Sequence, residues 1–440
     1  MKSKTLILIA KGVTKITVKF VTLGCKTNIY ESEAMAELFK ERGYEIIRDG
    51  VADICVINTC SVTGTGAKKS RQQIRRARHE NPNGIIAVTG CFSQTEPEVV
   101  RELGADIIIG NSGRSKIVEL TEQAIGGKKS NIVGDILGEH EYEELPITKS
   151  QSRIRAGVKI EDGCNNFCTY CIIPYARGPV RSRPLENIVR ETESLAEHGY
   201  KEVVLTGIHI GSYGRDINPE KIGLIDVIEK INEINGIERI RLGSIEPVLI
   251  TDDFVHRAAA LQKLCPQFHL SLQSGCDETL KRMNRHYTSG EFFKAVQLLR
   301  DNIKDTAITT DLMVGFAEET DEEFDKSYAF CKSIGFSQMH IFKYSIRKGT
   351  RAETFPNQVP ENIKDERSRK MLTLAEDMKR SYYESYIGKE LRVLIEQERT
   401  DGLYHATTAN YMDVLVPADE SKHGKFITFT PKEYKDGFLI

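Results

Sequence analysis

The run Cys164-Asn-Asn-Phe-Cys168-Thr-Tyr-Cys171 brings three thiols within eight residues. Thiolates at C-x3-C-x2-C spacing can wrap one corner of a cubic iron–sulfur cluster and leave one iron without a protein ligand, an open place for substrate. A zinc site or plain buried thiols is the alternative, but structural zinc takes four closed ligands and usually paired C-x2-C knuckles. A second set, Cys25, Cys60 and Cys91, is spread along the first hundred residues, each member just after an apolar run that reads as a strand. In an open parallel sheet such strand ends share one edge, where crevice sites form, so the three thiols can converge. Buried free cysteine is common, which keeps the structural reading open for this set. Cys55, Cys265 and Cys331 lie in apolar runs or on amphipathic helices and are read as core; Cys276 is read as close to a cofactor without ligating it.

These residues need a frame. The chain has 440 residues, 40% hydrophobic and 28% charged, with 34 Gly and 13 Pro, which fits two to four globular domains rather than one small module or a disordered chain. The apolar run at 5–10 is too short to span a bilayer and lacks a cleavage pattern, so a cytoplasmic protein with no membrane association is expected. Ten cysteines in a reducing compartment favour metal binding or catalysis over disulfides. A net charge of -2 means that a nucleic-acid partner must be held by a local patch.

Apolar β-branched runs at 15–22, 52–59, 84–89 and 106–109 alternate with helical patterns at 30–42, 67–80, 96–103 and 116–124. This predicts an α/β fold that opens with a doubly wound parallel domain over 15–125. The polar stretch 126–151 reads as a linker. From 152 to 383, strands at 155–160, 202–206, 239–243, 269–272, 307–314 and 338–344 alternate with helices and end in a long helix at 362–386. Six such units suit a partial (β/α)6 barrel. Residues 384–440 carry short β-like runs broken by Gly, Asp and Asn, as in a small antiparallel β-barrel. With seven Lys/Arg against ten Asp/Glu, that module is no purely electrostatic clamp for nucleic acid.

Barrel active sites gather at strand C-terminal ends, which singles out Thr206, Gly207, Glu246, Gln273 and Asp311 as cofactor contacts. Gly207 would allow close backbone approach, Glu246 and Asp311 would take ribose hydroxyls or an ammonium, and Gln273 offers a donor and an acceptor. Loop or cap roles are the plain reading of each. For RNA, the stretch 68–78 carries six basic residues in eleven, Lys68, Lys69, Arg71, Arg75, Arg76 and Arg78, with no acid among them. Arg177, Arg181 and Arg183, and on the late helix Arg367, Arg369, Lys370, Lys379 and Arg380, would extend that surface.

The C-x3-C-x-aromatic-C run at the head of a (β/α) array resembles the radical S-adenosylmethionine enzymes. That resemblance implies that the open iron binds the amino and carboxylate groups of S-adenosylmethionine, that one-electron reduction cleaves it, and that Tyr170 lies beside the adenine. Together with Thr22-Leu-Gly-Cys-Lys-Thr-Asn, Asn58-Thr-Cys-Ser-Val, Thr89-Gly-Cys-Phe-Ser-Gln, Pro174-Tyr-Ala-Arg-Gly178 and Leu270-Ser-Leu-Gln-Ser-Gly275, nearly the whole chain is similar to the methylthiotransferases. The likeness implies two [4Fe–4S] clusters, on Cys164, Cys168 and Cys171 and on Cys25, Cys60 and Cys91, and two S-adenosylmethionine molecules per product. It also implies an electron donor such as flavodoxin or ferredoxin, and a C-terminal module like the RNA-binding TRAM domain; a monomer is favoured. Within the family, the entry motif and Leu205-Thr-Gly-Ile-His-Ile-Gly resemble the branch that acts on N6-threonylcarbamoyladenosine beside the anticodon of tRNA. Thr27 is a small departure from the Val common there. An N6-isopentenyladenosine, an aspartate of a ribosomal protein, or a non-enzymatic iron–sulfur RNA-binding protein are the alternatives.

Overall fold

The computed structural model describes residues 15–145, 147, 154–217, 222–400 and 402–440; the apolar run at 5–10 and the end of the polar stretch, 148–151, lie outside the described residues. The first sheet holds β1 (Thr17–Thr22), β2 (Glu45–Ile47), β3 (Ile54–Thr59), β4 (Ile85–Gly90), β5 (Ile107–Ile108) and β6 (Ser130–Asn131) in the order β2-β1-β3-β4-β5-β6. Every pairing is parallel. β3 is buried along its whole length, as a parallel sheet covered on both faces requires. Ile54 and Val56 pack with Met35 and Phe39 of helix α1 (Lys26–Glu41) on one face. Cys55 and Ile57 pack with Ala67 and Ile74 of helix α2 (Gly64–Glu80) on the other, so Cys55 is core.

Three points depart from the sequence expectation. β2 gives no sequence signal because three residues are too few for a period to show. Helix α1 starts at Lys26, immediately after Cys25, rather than at 30. The polar stretch is no free linker: Ser130–Asn131 extends the sheet beside β5, and Leu145 and Ile147 are buried against Tyr30 and Ala34.

The central region contributes β7 (Arg155–Lys159), a short antiparallel pair β8 (Glu161–Asp162) and β9 (Arg181–Ser182), then β10 (Glu202–Thr206), β11 (Arg239–Leu242), β12 (Gln267–His269), β13 (Ala307–Val314) and β14 (Gln338–Lys343). The parallel ladders β7-β10-β11 and β12-β13-β14 are joined by the parallel bridges Ile240↔Leu264 and Ile245↔Leu270 into one array of six strands in chain order. Intervening helices cover it, and one apolar core runs from Val158 through Leu205 and Leu312 to Cys331. The expected long helix spans Glu361–Glu384.

The C-terminal strands β15 (Leu391–Thr400), β16 (Leu403–Thr408), β17 (Asp413–Pro417), β18 (Phe426–Phe429), β19 (Tyr434–Lys435) and β20 (Phe438–Leu439) form a sheet in the order β18-β15-β16-β17-β20-β19. It is mixed rather than antiparallel, because β20 returns alongside β17 in the same direction at Val414↔Leu439. Arg239 donates to the Thr407 and Arg392 carbonyls and Arg241 to those of Thr408 and Ala409, docking this sheet on β11. Among the described residues no helix is long and apolar enough to cross a membrane.

Candidate functional site: two cysteine sets that face each other

Cys164, Cys168 and Cys171 lie on the loop that leaves β8. The Cys164 N–H donates to the Gly178 carbonyl at 3.0 Å and the Cys171 N–H to that of Cys168 at 2.9 Å. Ile173 N–H points at Cys171 Sγ (3.4 Å) and Arg285 Nη1 at Cys168 Sγ (3.2 Å). Burial pushes the Cys164 and Cys171 thiols up to about 12, so a bound metal must displace protons from them. Arg285 is set by Glu246, 2.7 Å from its Nη2, and by the Tyr287 hydroxyl at 3.0 Å. Glu246 also receives Asn166 Nδ2 at 2.9 Å and His209 Nε2 at 3.2 Å. Against the burial that would raise it, the His209 hydrogen bond and the Arg285 charge hold this carboxyl down at about 2. Both its oxygens have protein partners, so Glu246 steadies the cysteine loop. His209 and Arg285 carried no spacing signal.

In the first domain, Cys25 is the N-cap of α1, Cys60 follows β3 and Cys91 opens the helix Cys91–Thr95 after β4. Their strands β1, β3 and β4 are neighbours, so the three chain ends emerge side by side. Gly24, at φ +100, makes the approach possible: a Cβ there would stand 2.9 Å from Cys60 Cβ. Burial, then the nearby Cys91 thiol, pushes Cys60 up to about 11. The helix that Cys91 opens packs against the helix Ile173–Arg177, which starts two residues after Cys171, so the two sets lie close together. Arg177 ties them, donating from Nε to Cys91 Sγ at 3.4 Å.

Among the described residues, the one His/Cys/Asp/Glu trio with all ligand atoms within 4.8 Å of one another is His269, Asp311 and His340; neither cysteine set is that tight. Thiolates sharing one tetrahedral zinc would be about 3.8 Å apart. Three thiols in each set, with N–H donors from Arg177, Arg285 and Ile173 aimed at the sulfurs, suit an anionic sulfur-rich cluster that keeps one iron open.

A buried ion network underlies this junction. Glu31 of α1, fully buried, meets Arg177 at 2.5 Å, Lys159 at 2.9 Å and Arg114 at 3.3 Å. Asp162 meets Lys159 at 2.6 Å, Arg177 at 3.1 Å and Arg181 at 3.8 Å. Against the cost of burial, Arg114 and Arg177 hold Glu31 down at about 2. Arg183 pairs with Glu191 at 2.8 Å and with Glu144 at 2.7 Å. Arg177, Arg181 and Arg183 are all buried, so the expectation that they touch RNA is corrected: Arg177 bridges Glu31 and Asp162 and faces Cys91, while Arg181 is held by Asp162 and Arg183 by Glu144 and Glu191. Replacing Arg177 by Leu should cost about 3–5 kcal/mol of stability, because Glu31 and Asp162 would keep buried charge with fewer partners; anaerobic urea melts check this.

Of the remaining candidates, Thr206 is buried at the end of β10. Gly207 is explained by Glu161: a Cβ there would lie 2.7 Å from its Oε2, which accepts the Ile208 and His209 N–H groups. That corrects its reading as a place of close cofactor approach. Burial pushes Glu161 up to about 8, and a carboxyl raised from 4.5 stabilises fully below that pH and loses the contribution as pH rises through 8. Over that interval the stability of the wild type should fall more steeply with pH than that of Glu161→Gln, by up to about 1.4 kcal/mol per pH unit, with the Glu191 contribution common to both; urea midpoints read the difference. Gln273 adopts a left-handed φ of 65, held by the Asp311 carbonyl and the Met313 N–H. Asp311 Oδ2 sits 3.4 Å from His269 Nε2. Tyr170 packs edge-on to Phe316. Cys265 and Cys331 are buried, and Cys276 donates to Glu278 at 2.9 Å.

On α2, Lys68, Lys69, Arg75 and Arg76 are exposed. Arg78 is not available, being bound to Asp106 and to the Gly84 and Gly104 carbonyls, and Arg71 is half-buried over the Phe92 ring. On the late helix Arg367 is likewise buried against Glu319, whereas Arg369, Lys370 and Arg380 are exposed and Lys379 half-buried.

The fold and the C-x3-C-x2-C loop define a radical S-adenosylmethionine protein: the Radical SAM superfamily matches residues 158–331, and the family described as Uncharacterized protein family UPF0004 matches 17–110. The chain belongs to the MtaB-type methylthiotransferase family. It is 42% identical to the threonylcarbamoyladenosine tRNA methylthiotransferase MtaB of Bacillus subtilis (strain 168), over 93% of this chain and 92% of that protein. It is 38% identical to the protein of that name from Aquifex aeolicus (strain VF5), over 90% and 96%. A tRNA-2-methylthio-N(6)-dimethylallyladenosine synthase of Caldicellulosiruptor saccharolyticus is 36% identical over 93% and 89%. Among solved structures, the radical S-adenosylmethionine methyltransferase TsrM from Kitasatospora setae shares the fold, with a TM-score of 0.57 at 14% identity over 89% of this chain and 81% of that one. The chain is an enzyme of this family, using S-adenosylmethionine and two [4Fe–4S] clusters.

Proposed function

We propose that this enzyme converts N6-threonylcarbamoyladenosine at position 37 of tRNA to its 2-methylthio derivative. The observation that carries the reading is the meeting of the two three-cysteine sets across the domain boundary. Relatives named for the threonylcarbamoyl substrate reach 42% identity, against 36% for the dimethylallyl type. When bound, the groups on the two sets supply one-electron cleavage of S-adenosylmethionine, at Cys164, Cys168 and Cys171, and the sulfur, at Cys25, Cys60 and Cys91. The chain's own part is positioning: Arg177 and Arg285 hold sulfurs, Glu31 and Asp162 hold Arg177, and Tyr170 lies beside the adenine of S-adenosylmethionine, with Thr206, Gln273 and Asp311 as further contacts. Residues 15–125, 152–383 and 384–440 act as the sulfur-handling domain, a partial (β/α)6 barrel and a TRAM-like RNA module. The enzyme works in the cytoplasm as a monomer, reduced by a flavodoxin or ferredoxin. Comparing modified nucleosides from wild-type and deletion cells tests this: the 2-methylthio form should vanish and its threonylcarbamoyl precursor accumulate.

The anticodon stem–loop docks on the exposed cations of α2 and on the C-terminal sheet, with the modified base turned out toward the sulfurs. Replacing Lys68, Lys69, Arg75 and Arg76 by Ala should weaken tRNA binding and reduce the slope of log K against log salt by about 0.7–0.9 for each phosphate that is no longer neutralised. Titrations at several salt concentrations read this; an unchanged slope places the RNA elsewhere.

A further inference from the structure

A cavity of about 440 Å³ lies where the three domains meet, walled by Lys26 of α1, Arg155 and Gly157 of β7, Thr206 of β10, Arg241 of β11 and Glu396 of β15. Its cations are not equivalent. Arg155 is paired with Glu396 at 3.1 Å, and Arg241 with Glu202 at 2.9 Å while it donates to the Thr408 and Ala409 carbonyls. Lys26 lines the cavity, where desolvation lowers the pKa of its ammonium and Tyr411 acts against that, and the ammonium has no hydrogen-bond or ion-pair partner among the described residues. It is the first residue of α1, directly after Cys25. Across from it, a Cβ on Gly157 would meet nothing within 4 Å. Glycine inside a strand gives up packing, and a common reason is that a ligand approaches the backbone there.

The wall carries the cations Lys26, Arg155 and Arg241 against the carboxylates of Glu33 and Glu396, and an ammonium there without a protein partner is suited to an anion and ill suited to an apolar group, which would cover it without a hydrogen bond. We propose that this cavity receives the N6 side chain of the substrate, with Lys26 Nζ donating to the threonyl carboxylate, and that Lys26 thereby selects the threonylcarbamoyl group over an apolar N6 group. The inference rests on the threonylcarbamoyladenosine reading above. The substrate and S-adenosylmethionine each carry a carboxylate that Lys26 could take, and the test separates them.

The reconstituted full-length enzyme is titrated anaerobically with fluorescent anticodon stem–loops carrying threonylcarbamoyladenosine, either with its free carboxylate or with that group capped as the methyl amide. In the wild type, capping should weaken binding about tenfold to a hundredfold, as loss of one charge-assisted hydrogen bond does. In Lys26→Gln, matched to the wild type in iron content, capping should change the Kd less than about threefold, and Lys26→Arg should restore part of the penalty. Gly157→Val, which touches neither cysteine set, fills the cavity and should weaken the threonylcarbamoyl stem–loop at least about tenfold relative to the unmodified one. An equal capping penalty in wild type and Lys26→Gln, or no effect of Gly157→Val, would overturn the proposal. So would Lys26→Gln weakening S-adenosylmethionine in equilibrium dialysis with the capping penalty intact. Preference of the wild type for an isopentenyl stem–loop would reject the substrate reading, and the proposal with it.

Discussion

Changing Cys164, Cys168 and Cys171 together to Ala removes all 5′-deoxyadenosine formation from S-adenosylmethionine and leaves about half the iron, because the other three-thiolate set is untouched. The separation is expected from the structure. The loop after β8 is held by its own bonds, Cys164 N–H to Gly178 and Cys171 N–H to Cys168, and by Arg285 and Asn166 through Glu246. None of these supports passes through Cys25, Cys60 or Cys91. The variant should still fold, since the ion network of Glu31, Asp162 and Arg177 does not use the three sulfurs. Iron assay and chromatography of the reduced reaction give both numbers. Undiminished cleavage in the triple variant contradicts the assignment.

Replacing Cys25, Cys60 and Cys91 with Ala splits the activity the other way: S-adenosylmethionine is still cleaved on reduction, and no methylthio product forms. Cys25 caps α1 with no side-chain bond to the helix backbone, only a long one of 3.7 Å from its thiol to Asn28 Oδ1, and Cys60 and Cys91 lie at strand ends, so removing the sulfurs spares the sheet. Arg177 Nε gives up its hydrogen bond to Cys91, while the guanidinium keeps Glu31, Asp162 and Asn28. If this variant inserts sulfur at the wild-type rate, the sulfur does not come from that site.

The cysteine sets were legible for different reasons. Eight residues of local spacing sufficed for Cys164, Cys168 and Cys171, whereas Cys25, Cys60 and Cys91 needed the rule that parallel strands end on one edge, and β2 at the sheet's rim did not disturb it. What the sequence hid is pairing across domains. Arg177 sits in a motif, but nothing in the chain says that Glu31, 146 residues earlier, meets it, so its charge read as an RNA contact. Gly207 looked like room for a ligand because the side chain that fills the room, Glu161, is distant in sequence. Arg78 shares its sign with Arg75 and Arg76, and only the fold shows that it is spent on carbonyls at the helix end.

The decisive measurement offers the purified, reconstituted enzyme two anticodon stem–loops that differ only in the N6 group of the target adenosine, and identifies the nucleosides formed by mass spectrometry. A 2-methylthio product is expected from the threonylcarbamoyl stem–loop and little or none from the isopentenyl one. Preference for the isopentenyl stem–loop, or turnover only with a ribosomal protein, would contradict it.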